Sequence, residues 1–340
     1  MPPQGPKPGR TAKVAVKVVH PQVRRAVDID LRVFEGIAVI SDRLGLDSLG
    51  LPLMLRQFAS FLEAQTDLRV EAKNLQRLGE CFSARDGPIV VPQVYDRWVS
   101  HDVLVMSFEE GEPLATLLEG SPKCLGSDVE AVKMEAWKSI VDAFWAMVFQ
   151  FRFVHGDLHP GNVVWRMRKG QRQRGSGVQL VLLDCGLVID LGGQAGEDLS
   201  LMVKAFLTRP AEEVAELLIE LSERVGGRRQ DVWQPDGFVQ GIAELIRKGM
   251  DVRFTLSKLN AGALMGQSLI LGRRHRVRFD ARFVNLMVAM VVVQGVAMRL
   301  NGEGDILNRM RPYVFSAAVT GLTGLRKADN SRTNDNELRR

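Results

Sequence analysis

The order of hydrophobic and polar residues predicts a strand-rich first part of the chain. Residues 12–21, AKVAVKVVHP, alternate Lys with small and β-branched apolar residues, which predicts a short strand with Lys17 on one face. Two more strands are predicted at 88–95, PIVVPQVY, and at 102–108, DVLVMSF, before a short helix in EGEPLATLLEG. We expect these strands to complete one sheet.

Between the first strand and the next two, the spacing is helical. The stretch from Val23 to Glu63 is mostly helical in pattern, with a break around Gly50 and Pro52. Apolar residues three and four positions apart then mark an amphipathic helix. Its apolar positions are Phe58, Leu62, Leu68, Leu75 and Leu78.

The rest of the chain is predicted to be mainly helical. A long helix is expected at 128–153, followed by a hairpin from VVW at 163–165 and VQLVLL at 178–183, on either side of a Gly- and Arg-rich turn. From about residue 195 only helical patterns appear, separated by breakers. The breakers lie near Pro210, Gly226, Gly227, Pro235 and Gly302.

The loop after the long helix carries the clearest candidate chemistry. It reads HGDLHPGN at 155–162, and the apolar run LVLLDCG follows at 180–186. Phosphoryl transfer needs one carboxylate to orient the attacking hydroxyl, and a second carboxylate with an amide to hold Mg²⁺ on the phosphates. Asp157, Asp184 and Asn162 fit those roles in that order. Taken alone, the same residues also fit side chains that merely cap turns.

Lys17 on the first strand and Glu71 on the amphipathic helix form a second constellation. Such a pair can aim an ammonium at nucleotide phosphates, although most Lys and Glu are ordinary surface charges. The order of strand Lys, helix Glu, two strands, long helix, Asp-Asn loop, hairpin and metal Asp is protein-kinase-like. It predicts an α+β, two-lobed fold with a small, incomplete, strand-containing N-lobe and a mainly helical C-lobe, and a cleft site at their junction.

The predicted division of the chain has four parts. Residues 1–11 are a disordered, basic, Pro/Gly-rich start, and residues 12–110 are a partial N-lobe with a helical insert. Residues 111–325 are a helical C-lobe with two loops, the catalytic loop at 155–162 and the metal loop around Asp184. Residues 326–340 are polar and are predicted to be a disordered tail.

Composition limits the other function classes. The chain has 340 residues, of which 46% are hydrophobic and 25% charged, so it can bury a sizeable core. A net charge of +5 and two Tyr, without aromatic residues between the basic ones, do not support nucleic-acid binding. Two basic clusters are interpreted as solvated surface, with contact to an anionic membrane as the alternative. They are Arg166, Arg168, Lys169, Arg172 and Arg174, and Arg273, Arg274, Arg276 and Arg278.

Cysteines and apolar segments also bear on location. Cys81, Cys124 and Cys185 share no CxxC spacing, so we expect free thiols in a reducing compartment, without a disulfide framework or zinc site. The start, MPPQGPKPGRTAK, has no apolar core, and we expect it to be neither a secretory signal nor a transit peptide. The stretch 283–298 is interrupted by polar residues and is shorter than the ~20 residues that span a bilayer, which predicts a buried helix.

Four segments resemble the UbiB or aarF-domain family of atypical kinases. They are VAVKVVHP, TDLRVEAKNL, FVHGDLHPGN and LLDCGLV, and the likeness covers roughly residues 12–300. The long helical stretch between Lys17 and Glu71 also resembles this family, because an ordinary protein kinase has a much shorter link there. The match to these segments is specific to that family.

The resemblance implies a role for each candidate residue. Lys17 would contact the phosphates of ATP, and Glu71 would pair with Lys17. Asp157 would be the catalytic carboxylate, with Asn162 and Asp184 as Mg²⁺ ligands. The implied hinge, which would meet adenine through its backbone, consists of Met106, Ser107, Phe108 and Glu109.

Three departures from the family pattern stand out. Gln65 stands two residues before Asp67 where the family often has Glu, as in a subgroup with Gln there. Cys185 follows Asp184 where a kinase has Phe, so we expect a small buried gap filler, with a redox role as the alternative. The family has a KxGQ helix and an Ala-rich nucleotide loop before the strand with Lys17. We expect this chain to lack both, and with them the amides that cover the phosphates.

The leading hypothesis is a kinase or ATPase that uses ATP and Mg²⁺. By resemblance, it would support isoprenoid quinone (ubiquinone-type) or lipid metabolism as a peripheral protein of the mitochondrial inner membrane, with a plastid as the alternative. Implied partners are a nucleotide, an anionic membrane surface or isoprenoid lipid, and quinone-biosynthesis proteins. One alternative is a catalytically silent, membrane-associated scaffold. Another is a small-molecule phosphotransferase of the aminoglycoside or choline kinase kind, against which the EAKNL helix and the long insert count.

Overall fold

The computed structural model describes most of the chain in seven ranges: 13–43, 66–83, 87–119, 129–168, 177–251, 261–306 and 308–316. Several predictions lie outside these ranges: those for the start at 1–11, the tail at 326–340, Gln65, and the helical positions Phe58 and Leu62.

The described strands form three small sheets. The first contains β1 and β3, the second has the order β2-β7-β6-β4, and the third contains β5 and β8. The strands are β1 (Val14–Val18), β2 (Ile89–Val90), β3 (Val103–Ser107), β4 (Glu112–Pro113), β5 (Phe153–His155), β6 (Val163–Met167), β7 (Val178–Leu182) and β8 (Val188–Asp190).

Strand β1 presents Lys17 as its sequence predicts. Alternation turns Ala15 and Lys17 toward the protein, whereas Val14, Val16 and Val18 are exposed. Antiparallel pairing with β3 places Lys17 opposite Leu104, which is fully buried. The partner strand therefore holds the backbone of Lys17 against the core.

The prediction of one sheet for the first strands is wrong. Of residues 88–95, only Ile89 and Val90 form a strand, and they pair parallel with β7 of the second sheet. Farther along, Val94 makes an isolated bridge to Met106 of β3. Pro92 lies between these two contacts and lacks an N–H, so it cannot donate to a continuous ladder.

Helical residues 129–151 precede the catalytic loop, close to the predicted 128–153. The α-helix itself ends at Ala146 and continues into a π-helical turn, Met147–Phe151, which leads to Arg152 with a left-handed φ of 52°. The chain then enters β5, which pairs antiparallel with β8. Both strands have three residues, too few for a period-two pattern to be recognised.

The predicted hairpin and the helical second part are confirmed. Strands β6 and β7 pair antiparallel, with Val163 opposite Leu182. Residues 308–316 are also helical. The helices are α1 (Pro21–Arg43), α2 (Leu68–Cys81), α3 (Leu114–Leu118), α4 (Val129–Ala146), α5 (Gln194–Thr208), α6 (Ala211–Arg224), α7 (Pro235–Asp251), α8 (Ala261–His275) and α9 (Ala281–Leu300).

Helix α9 contains the apolar stretch that was predicted to be buried. Leu286, Val293 and Leu300 are buried, whereas Val288 and Met298 are exposed, so burial is confined to one side. With 20 residues, α9 is longer than the sequence pattern suggested. Among the described residues it is the one helix whose length and composition would allow it to cross a membrane, a test that core helices also pass.

The main core lies around α4, which buries residues on most of its sides. Helix α4 contacts β7 and α9, and its residues Ile140 and Phe144 belong to this core. The indole of Trp145 donates a hydrogen bond to the carbonyl of Ile306 at 2.9 Å. A second core between α6, α7 and the end of α8 contains Ile219 and Phe238. The buried apolar residues of α2 and of the catalytic loop pack in the main core.

Candidate active site

Three charged side chains from distant parts of the chain meet at one point. The ammonium of Lys17 lies 2.8 Å from both carboxylate oxygens of Glu71 and 2.7 Å from Oδ2 of Asp184. Glu71 is almost fully buried, while Lys17 and Asp184 keep 35% and 40% of their side chains exposed. The predicted Lys–Glu pair is therefore formed, and the partly exposed Lys17 side chain lies beside the predicted metal carboxylate.

Helix α2 positions Glu71 through its cap and its apolar face. Asp67 caps the helix by accepting a hydrogen bond from the N–H of Arg69 at 3.0 Å, and Leu75 and Leu78 are fully buried. Glu71 lies one turn after the cap on the buried side. Burial of this face thus fixes the direction in which its carboxylate points.

Asn74 ties α2 to the metal loop and was missed by sequence reasoning. Its Nδ2 donates to the carbonyl of Cys185 at 2.9 Å, and Glu71 accepts a hydrogen bond from the N–H of the same residue. Residues three positions apart share a face of a helix, so the spacing of Glu71 and Asn74 was the available signal. Two side chains of α2 are therefore hydrogen-bonded to the backbone of one residue of the metal loop.

The charges at this point shift the three pKa values in different directions. Burial alone would lower the pKa of Lys17, but hydrogen bonds to Asp184 and Glu71 outweigh it and raise that pKa. Burial, with the nearby charge of Asp184, raises the pKa of Glu71. For Asp184, hydrogen bonds from Lys17 and the N–H of Gly186 overcome burial and lower the pKa. Lys17 therefore remains protonated and Asp184 ionised at neutral pH.

His155 links the catalytic loop to the metal loop. Its Nδ1 accepts a hydrogen bond from the N–H of Asp157 at 3.0 Å, so the ring proton is assigned to Nε2, which donates to the carbonyl of Asp184 at 2.5 Å. The ring is 1% exposed, and burial lowers its pKa. A neutral imidazole therefore links the backbones of Asp157 and Asp184 by two hydrogen bonds.

Asn162 holds Asp157 directly. Its Nδ2 donates to Oδ2 of Asp157 at 2.9 Å and to the carbonyl of Asp157 at 3.1 Å. The carbonyl of Asn162 accepts from the N–H of Leu183 at 2.9 Å, which anchors the loop to the end of β7. Between them, exposed His159 accepts from the N–H of Gly161 at 3.1 Å. The loop is thus ordered by its own side chains.

Asn162 and Asp184 suit a hard cation that is also bound by the phosphates of a nucleotide. Because Nδ2 of Asn162 is committed to Asp157, its oxygen Oδ1 is the atom left for coordination. Asp184 supplies one ionised carboxylate. The described residues contain no group of three or more His, Cys, Asp or Glu able to hold a metal. One carboxylate and one amide fit Mg²⁺, which usually takes its remaining ligands from phosphates and water.

The predicted hinge is only partly available to a ligand. The N–H of Ser107 donates to the carbonyl of Gln93 at 2.8 Å, and the N–H of Phe108 donates to the carbonyl of Lys13 at 3.2 Å. The carboxylate of Glu109 accepts from the hydroxyl of Ser107 at 2.8 Å. Two of the predicted amide donors therefore have partners inside the protein. Met106 is buried in β3, and the ring of Phe108 is half exposed.

Cys185 is a buried packing residue, as predicted. It is fully inaccessible, and burial raises the pKa of its thiol far above the usual range. Its backbone, not its side chain, makes the polar contacts of the metal loop. The structure therefore favours the small gap filler over the redox alternative.

Residues 7–218 match a family model described as the ABC1 atypical kinase-like domain, and this match covers more than half of the chain. The chain belongs to the ABC1 atypical kinase-like family. The family resemblance and the α+β, protein-kinase-like fold predicted from the sequence are therefore confirmed.

Two curated fungal relatives show the extent of the likeness. A mitochondrial ABC1 family protein of Schizosaccharomyces pombe is 25% identical over 347 residues, covering 91% of this chain and 48% of the relative. A mitochondrial ABC1 family protein of Saccharomyces cerevisiae is 26% identical over 340 residues, covering 88% of this chain and 50% of the relative. The chain thus spans about half the length of the curated relatives it matches.

A solved structure also resembles this ABC1 family member. The Rv3197–erythromycin complex from Mycobacterium tuberculosis aligns with a TM-score of 0.49 and 19% sequence identity. The alignment covers 84% of this chain and 67% of that chain.

Proposed function

We propose that this protein is an atypical kinase or ATPase that binds ATP with Mg²⁺ and transfers the γ-phosphoryl group to a hydroxyl or to water. The observation that carries this proposal is the meeting of Lys17 with Glu71 and Asp184, joined through His155 to Asp157. Phosphoryl transfer is catalysed mainly by positioning and charge, which is what such an arrangement supplies.

Each residue would have one task. Lys17, oriented by Glu71, binds phosphate oxygens with its ammonium. Asp184 and Oδ1 of Asn162 would hold Mg²⁺, which when bound neutralises charge on the phosphates. Asp157, held by Asn162, orients the attacking hydroxyl or water and accepts its proton. Adenine would meet the hinge through groups other than the N–H of Ser107 and Phe108.

The biological role belongs to the same proposal. We infer that the protein works in mitochondria, in support of isoprenoid quinone or lipid metabolism, as a peripheral protein of the inner membrane. Support comes from family membership and from the two fungal relatives, both of which are named mitochondrial. Anionic membrane lipids, an isoprenoid lipid and quinone-biosynthesis proteins are the proposed partners.

The test separates binding from turnover. Mg²⁺-dependent stabilisation by ATP should raise the unfolding temperature of the wild type, because a ligand that binds only the native state stabilises it. Asp184→Asn should abolish the dependence on Mg²⁺. Asp157→Asn should keep the shift but lower phosphate release by at least about 100-fold. Exposed Asp236 in the first turn of α7 provides the matched control, Asp236→Asn. Full activity of Asp157→Asn would overturn the catalytic assignment.

A second candidate is a catalytically silent, membrane-associated scaffold. The apolar helix α9, partly exposed and close in sequence to the basic residues Arg273, Arg274, Arg276 and Arg278, favours it. Nucleotide binding without turnover, together with flotation on anionic but not neutral liposomes, would select this candidate. Turnover that is lost in Asp157→Asn would exclude it.

A further inference from the structure

The structure corrects the interpretation of Arg166 as solvated surface. Its side chain is 28% exposed, and its guanidinium pairs with Glu109, whose side chain is 18% exposed, at 2.9 Å. The same nitrogen, Nη1, donates to the carbonyl of Glu110 at 3.3 Å. Arg166 lies in β6, whereas Glu109 is the last residue of the predicted hinge and Glu110 follows it. The side chain of Arg166 therefore joins the hinge to the second sheet.

The other edge of this guanidinium is fixed by the sheet. Nε of Arg166 donates to Oε1 of Gln179 at 2.8 Å, directly across from it in β7. Gln179 is buried, and its Nε2 donates to the carbonyl of Gly87, just before β2, at 2.9 Å. A planar guanidinium binds its partners in fixed directions. Hydrogen bonds on the sheet thus determine where Arg166 meets the hinge.

Glu109 is the residue through which Arg166 holds the hinge. Its second carboxylate oxygen accepts from the hydroxyl of Ser107 at 2.8 Å, and that hydroxyl accepts from the N–H of Gln93 at 2.9 Å. Among the described residues, the N–H of Glu109 has no hydrogen-bond partner, unlike the N–H groups of Ser107 and Phe108. The pair with Arg166 thus fixes a hinge residue whose backbone N–H can meet a ligand.

Backbone packing brings the end of the hinge close to the same strand. A Cβ added to Gly111 would lie 2.7 Å from the carbonyl oxygen of Trp165 and would clash with Val164. Glycine therefore allows an approach that a side chain would prevent. Strand β6 begins directly after Asn162, the candidate Mg²⁺ ligand. The hinge and the metal end of the site are thus both positioned by β6.

We propose that Arg166 is a positioning residue of the nucleotide site, which fixes the hinge relative to the catalytic loop. The adenine end of ATP would meet the N–H of Glu109 that Arg166 holds in place. This role rests on the proposed binding of ATP. The hydrogen bonds of Arg166 go to the hinge and to β7, so its loss should weaken nucleotide binding and leave the phosphoryl-transfer step unchanged.

Steady-state phosphate release separates this role from a loss of folded protein. Arg166→Gln should raise the KM for ATP by about tenfold and leave kcat within about twofold of the wild type. A smaller fraction of folded protein would instead lower kcat at an unchanged KM. Arg229→Gln, which breaks an exposed pair with Glu216 at 3.2 Å, is the matched control and should change neither constant. An unchanged KM in Arg166→Gln would overturn the proposal.

Two further variants test the ion pair by calorimetric titration with ATP and Mg²⁺. Glu109→Gln should weaken binding as Arg166→Gln does, and the double variant should bind no more weakly than either single one, because both changes remove the same pair. Gly111→Ala should also weaken binding, because it pushes the hinge away from β6. Additive effects of the first two changes, or an effect of Gly111→Ala alone, would overturn the role of Arg166.

Hydrogen exchange without nucleotide measures the hinge independently of ATP binding. The amides of Ser107 and Phe108 should exchange at least about fivefold faster in Arg166→Gln than in the wild type or Arg229→Gln, because the hinge opens locally. Absence of ATP binding by the wild type would overturn the proposed function and this role together. ATP binding by the wild type, with equal exchange and equal affinity in Arg166→Gln, would overturn the role of Arg166 alone.

Discussion

At the residue scale, His155 joins two loops only while its ring is neutral. Nδ1 accepts from the N–H of Asp157 and Nε2 donates to the carbonyl of Asp184, so an added proton would remove the first hydrogen bond. Burial lowers the pKa of this ring below its ordinary value of about 6.5. The unfolded chain therefore takes up the proton at a higher pH than the folded protein.

This difference predicts a pH dependence of stability. The contribution of His155 to the free energy of unfolding should be complete above about pH 6.5 and should fall as the pH decreases toward the lowered pKa. His155→Gln should be less stable at pH 7.5 and should show a flatter pH dependence, measured by urea unfolding. His20→Gln, at an exposed histidine, should keep the wild-type slope. Identical slopes for all three proteins would show that His155 is not responsible.

Cys185 should be inert in the native protein. It is fully buried with a raised pKa, whereas Cys81 at the end of α2 is half-buried. Alkylation followed by mass spectrometry should modify Cys81 before Cys185, and Cys185 only after unfolding. Rapid modification of Cys185 under native conditions would restore the redox interpretation.

At the scale of elements, α2 and the metal loop form one unit. Glu71 and Asn74 both bind the backbone of Cys185, and Arg77 of the same helix pairs with Asp190 of β8 at 2.7 Å. The guanidinium of Arg77 also lies 3.9 Å from the ring centre of Phe153 in β5. The helix that carries Glu71 is thus attached to β5, which precedes the catalytic loop, and to β8, which follows the metal loop.

Removal of the Asn74 side chain should weaken this unit. Asn74→Ala leaves the carbonyl of buried Cys185 without that donor, which should cost about 1–3 kcal/mol in the free energy of unfolding. It should also lower turnover, because the metal loop loses one of its two anchors on α2. Neighbouring Lys73 is exposed, and Lys73→Ala should change neither quantity. Urea unfolding and phosphate release on the same samples provide the comparison.

At the scale of the whole molecule, α9 packs one of its sides against the main core. Its buried side contacts α4, and its exposed side carries apolar residues as well, so composition alone does not distinguish a core helix from a membrane span. Leu300 is 4% exposed and Met298 is 38% exposed, although they are two positions apart.

This contrast gives a direct test of packing. Leu300→Ala should lower the free energy of unfolding by about 2–5 kcal/mol, because it leaves a cavity in the main core. Met298→Ala should lower it by less than about 1 kcal/mol. Both values can be measured by urea unfolding without a membrane. Equal effects would contradict the one-sided burial of α9.

Chain order and local pattern determined much of this protein without its structure. They predicted the strand with Lys17, the hairpin of β6 and β7, and the helical second part. They also predicted the candidate site residues, which are Lys17, Glu71, Asp157, Asn162 and Asp184. The reason is that β alternation, helical spacing and Pro/Gly breakers are local signals. The roles of those residues and of the hinge remain predictions.

Only the tertiary structure decided which distant groups share a partner. The two-residue strand β2 joins β7 rather than β3, and β5 with β8 is too short to leave a pattern. His155 and Asn74 acquire their partners in the metal loop only after the chain has folded, because hydrogen bonds between residues far apart leave no periodic trace in the sequence. The ion pair between Arg166 and Glu109 is likewise a product of folding, since its partners lie far apart in the chain.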